Sequence, residues 1–381
     1  MDPIVIIGSG LAGYNVAREL RKLDKQIPLT VIAADSAHFY SKPMLSSALG
    51  SKKTPENIPL NTPEQMKEQI NAAVRPHTRV TAIDPAQHVV RIGDETVPYS
   101  KLVLALGADQ IRLPLKGSAA DRVMTVNDLE EYARFRAAIK DKPVVAVIGA
   151  GLIGCEFAHD LSSAGHKAEV IDIAGYPLSR LLTPEGGALL QRKLAALGVT
   201  WHLGTGVGSL DLVDDRIRVS LANGSTFEAD VVLSAIGLRP RTELAKAGGL
   251  KINQGIVVNR NLETSAPDIY ALGDCAEVEG LVLPYVMPIM HAARALAATL
   301  AGKPTPVNYP AMPVLVKTPA CPTIVSPPPA GAAGKWDITA DDEGVKSLFH
   351  DASGKLLGYA LNGKATEERA ALTKQLPPVL A

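Results

Sequence analysis

The residues that could do chemistry are two glycine-rich hexapeptides with the same spacing. They read Gly8-Ser9-Gly10-Leu11-Ala12-Gly13 and Gly149-Ala150-Gly151-Leu152-Ile153-Gly154. In this spacing the first glycine makes a tight turn, the second lets the backbone approach a pyrophosphate, and the third allows a helix to lie close to a strand. The pattern therefore predicts two bound dinucleotides, and electron transfer between them is the usual reason to hold two.

The elements around each hexapeptide fit this chemistry. A strand-like apolar run precedes each one, at residues 3–7 and 144–148, and helical segments follow, the first expected over residues 14–23. A later alanine-rich helix is expected over residues 290–300. A helix that starts at such a turn offers unpaired N–H groups to phosphate. Beyond residue 305 the chain changes to proline-rich connectors and short strands. The expected fold class is α/β, with two Rossmann-like dinucleotide-binding domains and a small C-terminal α+β domain.

Carboxylates near the ends of the second strands are the next candidates. A carboxylate about 20 residues past a glycine loop can accept both ribose hydroxyls of an adenosine, whereas a nearby arginine favours a 2′-phosphate. Asp172 fits this role, and the next arginine is only Arg180, which favours NADH over NADPH. For the first loop the strand ends in Ala33-Ala34-Asp35, so Ala34 and Asp35 are expected at the cofactor. The alternative is that Asp35 only starts a turn.

Composition excludes several classes of function. The chain has 381 residues and no net charge, so neither nucleic acid nor an anionic membrane surface is an expected partner. We expect no membrane insertion and no signal peptide, because no apolar run reaches about 20 residues and no basic segment opens the chain. The cysteines, Cys155, Cys275 and Cys321, lack metal-ligand spacing. We therefore expect no metal and a cytoplasmic location.

The order of the motifs is more specific than either loop. The set consists of both hexapeptides, Ala105-Leu106-Gly107-Ala108, Glu156, Ala235-Ile236-Gly237-Leu238-Arg239-Pro240 and Ala271-Leu272-Gly273-Asp274. This set resembles the two-dinucleotide flavoprotein reductases of the glutathione-reductase superfamily, over nearly the whole chain.

The resemblance implies a role for each part. The first loop would hold FAD in a domain of residues 1–111 and 238–304, and the second loop NADH in residues 112–237, with residues 305–381 as the C-terminal domain. Gly107 and Gly237 would mark the crossings between the nucleotide domains, and Asp274, after Gly273, would bind the flavin's ribityl or pyrophosphate region. Glu156 would lie near nicotinamide and flavin, although it could be a helix salt-bridge residue. Val80 would contact the FAD adenine, although any apolar strand residue could look the same.

The absence of redox cysteines from the expected places restricts the kind of reaction that the chain can catalyse. Relatives that use thiols carry a cysteine at the place of residues 41–47 or a pair in the NADH domain, but residues 41–47 contain none and Cys155 stands alone. We therefore expect no catalytic side chain: the flavin carries the chemistry and releases electrons one at a time to an external redox protein.

Residues 41–46 and 316–322 further resemble bacterial rubredoxin–NAD reductases. This resemblance places Lys42, Pro43 and Lys317 against the flavin, whereas both lysines could instead be solvated. It implies rubredoxin, an acidic iron–sulfur protein, as the partner. The alternatives are a ferredoxin reductase of an oxygenase system and an NADH-sensing flavoprotein. An oxidase that forms peroxide is disfavoured by the missing cysteine.

Overall fold

The computed structural model describes residues 2–141 and 143–381. The first part of the chain contains, in order, β1 (Ile4–Ile7), α1 (Leu11–Leu23), β2 (Leu29–Ile32), α2 (Pro63–Gln69), β3 (Ala73–Arg75), β4 (Ala82–Asp84), β5 (Val89–Ile92), β6 (Glu95–Pro98), β7 (Lys101–Leu104) and β8 (Ala108–Gln110). The second part contains α3 (Leu129–Ile139), β9 (Val144–Ile148), α4 (Leu152–Ser163), β10 (Lys167–Asp172), α5 (Pro184–Ala195), β11 (Thr200–Leu203), β12 (Val207–Val213), β13 (Arg216–Leu221), β14 (Thr226–Ala229) and β15 (Val231–Ser234).

The third part contains β16 (Leu238–Pro240), α6 (Glu243–Ala247), β17 (Ile256–Val258), β18 (Ile269–Ala271), β19 (Ala276–Val278) and α7 (Val286–Leu300). The last part contains β20 (Val314–Val316), β21 (Thr323–Ser326), β22 (Lys335–Ala340), β23 (Gly344–His350), β24 (Leu356–Gly363) and α8 (Arg369–Thr373).

The first and third parts together build one nucleotide domain. Its parallel sheet has the order β18-β7-β1-β2-β3, with β1 in the middle. Val5 and Ile6 of β1 are completely buried, as expected of a parallel strand covered on both faces. Helices α1 and α7 pack against each other. A small antiparallel sheet, β4-β5-β6, lies in the same part of the chain.

The second part repeats the arrangement. Its parallel sheet has the order β11-β10-β9-β15, and the β12-β13-β14 sheet is antiparallel. Ile148 pairs with Ile171 as Ile7 pairs with Ile32, so both loops leave their strands at the same register. The Asn223-Gly224 turn joins β13 to β14. Gly224 has φ 87° and its backbone N donates to Leu221 O at 3.0 Å, so residues 222–224 form a three-residue hairpin loop that ends in a left-handed glycine.

The C-terminal part is an antiparallel sheet in the order β20-β21-β24-β23-β22, followed by α8. Helix α5 of the second nucleotide domain packs on β23 and β24 of this sheet. The structure confirms the predicted fold class, with two Rossmann-like domains and a C-terminal α+β domain.

A short ribbon joins the nucleotide domains. β8 pairs antiparallel with β16, so Ala108 lies opposite Pro240 and Gln110 opposite Leu238. Arg241 fastens the ribbon, because its Nε donates to Asp109 Oδ1 at 2.6 Å and its backbone N donates to Gly107 O at 3.0 Å. The predicted boundaries at residues 111 and 237 lie at this ribbon and stay predictions.

Some elements differ from the sequence-based expectations. Helix α1 begins at Leu11 and not Tyr14, because Gly10 is already its N-cap. Helix α7 begins at Val286 and not Met290, since Pro288 falls in the first turn, where its missing N–H costs nothing. None of the helices in the described part of the chain combines the length and apolar character that a membrane crossing requires.

Candidate functional site

The first glycine of each loop is required by its backbone. Gly8 has φ 115° and Gly149 has φ 106°, in the region that favours glycine. A Cβ on Gly8 would lie 2.1 Å from the carbonyl oxygen of Ala105, and one on Gly149 would lie 2.8 Å from that of Ala235. Each loop therefore turns directly against the end of the neighbouring strand.

The other glycines have opposite surroundings. A Cβ on Gly13 would lie 1.9 Å from Gly8 O, and one on Gly154 would lie 1.8 Å from Gly149 O, so the third glycine seals helix against loop. A Cβ on Gly10 or on the corresponding Gly151 would meet no described atom within 4 Å. Each loop thus keeps an open space in front of its second glycine, where a pyrophosphate fits.

A helix begins at each of these two open spaces, and we call each glycine loop together with the start of its helix a cradle. Leu11 and Ala12 open α1, and Leu152 and Ile153 open α4. Among the described residues no side chain caps either helix, and neither first turn contains an acidic residue. Free N–H groups at the positive end of a helix dipole attract anions. Both cradles therefore fit the phosphates of a dinucleotide.

Asp172 and Asp35 both contact their loops, but in different ways. Asp172 Oδ2 accepts from the backbone N of Ala150 at 2.5 Å, and its Oδ1 accepts from Ala174 N at 2.8 Å. In the first domain, the position equivalent to Asp172 is occupied by Ala33. Asp35 lies two residues later, and its Oδ1 accepts from Ser9 Oγ at 3.0 Å and from Ala37 N at 2.9 Å. Asp35 therefore both forms a turn and reaches the loop.

The predicted adenine end of the first cradle is assembled beside Ala34. The backbone N of Thr78 donates to Ala33 O and that of His77 donates to Asp35 O, each at 2.7 Å. Val80 follows on this same loop and is buried in the core of the first nucleotide domain. The structure therefore brings residues 33–35 and 76–80 together, while the contact of Val80 with adenine stays a prediction.

Lys42 and Asp274 lie close enough to influence each other. Lys42 and Pro43 open a short 3-10 helix, Lys42–Ser47, and Asp274 follows Gly273, which has φ 79°. Burial lowers the pKa of Lys42 and raises the pKa of Asp274, and the opposite charge of each partly offsets the shift of the other. Asp274 lies beside the first glycine loop, since a Cβ on the preceding Gly273 would lie 2.9 Å from the Cβ of Ala12.

The crossings Gly107 and Gly237 also have positive φ angles, 73° and 122°. Gly107 O accepts from Arg241 N, and Gly237 O accepts from Ile111 N at 3.0 Å. Both glycines therefore shape the ribbon between the nucleotide domains, and contact with a cofactor stays a prediction for them.

Glu156 joins the two nucleotide domains and the C-terminal domain. It lies on α4 and is 1% exposed. Its Oε2 accepts from Ser46 Oγ of the first domain at 2.6 Å and from Lys317 Nζ of the C-terminal domain, and its Oε1 accepts from Lys317 N at 2.9 Å. Lys317 Nζ also donates to Ser46 Oγ at 2.9 Å. The predicted residues Glu156 and Lys317 thus meet at one buried point.

Sequence reasoning missed three residues around this point. Ser46 lies inside a segment already singled out, but a small polar side chain gives little signal. His159 Nε2 accepts from Ala320 N at 3.2 Å, and the Asp160 carboxylate accepts from the backbone of Leu49 and Gly50. The spacing of Glu156 and Asp160, one helical turn apart, is the signal that could have found Asp160.

The cysteines are all buried and free in the structure. Burial raises the pKa of the Cys155 and Cys321 thiols, and raises that of Cys275 to about 11. Because the thiolate is the reactive form, these side chains are poor redox groups. The geometry agrees with electron transfer that needs no thiol.

Comparison with known proteins gives the family. The model of the pyridine nucleotide-disulphide oxidoreductases matches residues 2–298, and that of the rubredoxin binding C-terminal domain matches residues 306–376. A rubredoxin-NAD(+) reductase of Alcanivorax borkumensis is 49% identical over 381 residues, all of both chains. One of Acinetobacter baylyi is 47% identical over 390 aligned residues, which cover 100% of this chain and 99% of that one.

The structure is also similar to a solved ferredoxin reductase of the CYP199A2 system from Rhodopseudomonas palustris. The TM-score is 0.88 at 27% identity, over 99% of this chain and 96% of that one. Full-length identity of nearly half, together with both domain models, is well above what shared fold alone produces. The chain belongs to the pyridine nucleotide-disulphide oxidoreductase family and, within it, to the rubredoxin-NAD(+) reductases.

Proposed function

We propose that this protein is an NADH-dependent FAD flavoprotein that takes hydride from NADH and passes single electrons to rubredoxin. The observation that carries the proposal is the Glu156 contact. There the helix that starts at the second glycine loop meets both the first nucleotide domain and the domain that matches rubredoxin-binding modules. This contact among the two nucleotide domains and the C-terminal domain supports a short path from donor to acceptor.

We further propose which residues hold each cofactor. For FAD these are Gly8, Ser9, Gly10, Leu11, Ala12, Gly13, Ala34, Asp35, Lys42, Pro43, Val80, Gly107, Gly237, Gly273, Asp274 and Lys317. For NADH they are Gly149, Gly151, Leu152, Ile153, Gly154, Glu156 and Asp172. The open cradles and uncapped helix starts support the loop residues, and the carboxylate contacts support Asp35 and Asp172.

Bound FAD supplies hydride acceptance and stepwise electron release. The chain supplies position. The second loop binds the pyrophosphate of NADH, while Asp172, already held by two backbone N–H groups, offers its remaining lone pairs to the ribose hydroxyls. Glu156 lies on the helix that starts at this loop, so one rigid element sets the distance between the bound nucleotide and the buried carboxylate.

The Glu156 contact also contains an ion pair whose carboxylate is buried. Ser46 is 3% exposed, and the side chain of Lys317 is 27% exposed. Lys317 therefore forms an ion pair with a buried carboxylate while its own side chain stays partly exposed. Hydrogen bonds from Ser46 Oγ and Lys317 N satisfy the carboxylate further, which is what a buried charge requires.

The acceptor test compares partners at matched concentration. We expect NADH-dependent reduction of rubredoxin to be faster than that of a [2Fe–2S] ferredoxin. Faster reduction of ferredoxin would instead support the second candidate, which the similarity to a solved ferredoxin reductase favours. A long-lived NADH complex with negligible turnover to either carrier would favour an NADH sensor. Rapid consumption of NADH by oxygen alone would revive an oxidase.

We also propose a cytoplasmic location. All cysteines of the sequence are buried and unpaired, which suits a compartment that keeps thiols reduced. Cell fractionation tests this: recovery of the flavoprotein with a cytoplasmic marker is expected, and recovery with an extracytoplasmic marker would contradict it.

A further inference from the structure

Asp160 is a buried carboxylate that the mechanism above does not use. It lies on α4 one turn after Glu156 and is 4% exposed. Its Oδ2 accepts from Leu49 N at 2.9 Å, and its Oδ1 accepts from Gly50 N at 2.8 Å. Because residues four apart share a helix face, Asp160 and Glu156 point to the same side of α4.

Both carboxylates hold the same piece of the first nucleotide domain. Glu156 binds Ser46 at the end of the 3-10 helix that Lys42 opens, and Asp160 binds the backbone just after it. Leu45 and Ala48 of the same segment are buried in a core cluster that also contains residues of the second nucleotide domain and of the C-terminal sheet. The segment of residues 42–50 is therefore fastened to α4 by polar contacts at its middle, Ser46, and at its end, Leu49 and Gly50, next to the buried side chains of Leu45 and Ala48.

The fit at Asp160 is tight. A Cβ on Gly50 would lie 2.9 Å from Asp160 Oδ1, so glycine lets the backbone N–H approach the carboxylate. Burial raises the pKa of Asp160, while the N–H groups of Gly50 and Leu49 and then the positive charges of Lys317 and Arg136 act in the opposite direction. The carboxylate thus accepts two backbone N–H groups of the segment and lies near two cations.

We propose that Asp160 is a positioning residue for hydride transfer. By holding the backbone of Leu49 and Gly50, it fixes Ser46 and Lys42 relative to α4, and so fixes the flavin-side segment relative to the bound NADH. This inference rests on the proposed function. Asp160 itself touches neither cofactor, and its effect comes from alignment, to which transfer rates are very sensitive.

The test uses FAD-loaded Asp160→Asn, with Asp230→Asn as the matched control. Asparagine keeps the size but replaces one acceptor oxygen by an NH2 group. Asp230 is also a carboxylate of the second nucleotide domain that accepts a backbone N–H, from Val144 at 2.9 Å, but it contacts no residue of segment 42–50 among the described hydrogen bonds. The measurements are anaerobic stopped-flow reduction by NADH over a range of concentrations, and visible circular dichroism of the bound flavin.

For Asp160→Asn we expect a limiting rate of reduction lowered about tenfold, with the NADH concentration at half-maximal rate changed by less than about twofold. The visible circular dichroism should change as well. Asp230→Asn should leave all three quantities at wild-type values. Wild-type behaviour of Asp160→Asn, or the same loss in both variants, would overturn the inference.

A second variant covers loss of FAD from Asp160→Asn. Gly50→Ala alters the same contact from the segment of residues 42–50, because its methyl group would lie 2.9 Å from Asp160 Oδ1. We expect this variant to lower the limiting rate in the same way. A wild-type rate in Gly50→Ala would overturn the inference. If NADH failed to reduce the flavin of the wild-type protein, the proposed function would fall, whereas rapid reduction in wild type and variants alike would remove only the role of Asp160.

Discussion

Asp172 and Asp35 show how two copies of one unit solve the same problem with different residues. At the register where Asp172 ends β10, the first domain has Ala33, and the carboxylate comes two residues later. Ser9 compensates, because its hydroxyl donates to Asp35 where the second loop uses the backbone N of Ala150. Each loop is therefore contacted by a carboxylate, although only Asp172 lies at the position that the glycine spacing predicts.

Replacing Asp172 by alanine should raise the KM for NADH by about tenfold, equivalent to about 1.4 kcal/mol. The reason is that the variant lacks the acceptor for the ribose hydroxyls. The flavin absorption spectrum should stay unchanged, since Asp172 belongs to the other loop. Glu169→Gln is the control, because Glu169 lies on the same strand but pairs with His202 at 2.9 Å. Unaltered kinetics in the Asp172 variant would exclude it from the site.

At the scale of elements, α4 carries much of the site. Its first turn faces the second cradle, Glu156 follows one turn later, and His159 and Asp160 contact the C-terminal domain and the first domain. The glycines at its start have separate tasks, since Gly154 has no space for a methyl group and Gly151 has open space in front of it. This difference separates binding from stability.

Gly151→Ala and Gly154→Ala should therefore behave differently. In Gly151→Ala a methyl group enters only the cradle, so the melting temperature should stay within about 2 °C while the KM for NADH rises. In Gly154→Ala the methyl group would meet Gly149 O at 1.8 Å, so the melting temperature should fall clearly. Thermal unfolding of the NADH-free proteins with steady-state kinetics measures both effects, and equal melting temperatures in the two variants would contradict the assignment.

His159 makes the contact with the C-terminal domain dependent on pH. Burial lowers its pKa below the ordinary value of 6.5, and the neutral ring accepts from Ala320 N. Because the unfolded chain binds the proton more readily, this contribution to stability is complete above about pH 6.5 and is lost as the pH falls through the lowered folded-state pKa. The free energy of unfolding of wild type should therefore drop more steeply between pH 7 and 5 than that of His159→Gln. Urea denaturation at each pH measures this, and parallel curves would disprove it.

The whole molecule is held by a core that its parts share. One buried cluster contains Leu45 and Ile58 of the first part, Val147 and Leu190 of the second, and Val325 of the C-terminal sheet. Together with the β8–β16 ribbon, this cluster makes large relative movement of the parts costly. The second nucleotide domain and the C-terminal domain are thus held in a fixed arrangement.

Association with rubredoxin should depend on salt even though the net charge of the chain is zero. Because rubredoxin is acidic, we expect local positive charge on this chain to guide docking. Salt screens such attraction with a Debye length of about 10 Å at 0.1 M. The second-order rate of rubredoxin reduction should fall as NaCl rises, whereas reduction of the enzyme by NADH should change little. Stopped-flow measurement of both steps separates them, and a salt-independent rubredoxin step would contradict local steering.

The sequence could predict those parts of the fold that local chemistry determines. The glycine spacings, the β-branched runs of β1 and β9 and the Asn223-Gly224 turn depend on neighbouring residues, so they were predictable. The Ser46–Glu156–Lys317 contact joins residues 110 and 161 positions apart, and only the tertiary fold makes them neighbours. The strands β4 to β6 were missed because they are short and partly polar, and β6 ends in Pro98.

The burial of every cysteine has a consequence for the conditions in which the protein can work. Peroxide and alkylating reagents attack exposed thiolates, and here each thiol is enclosed and has a raised pKa. This member of a family named for disulphide chemistry thus has the two nucleotide domains of the family but, among its described residues, no exposed thiol that such reagents could attack. Modification of Cys155, Cys275 and Cys321 by such reagents should therefore be slow in the folded protein.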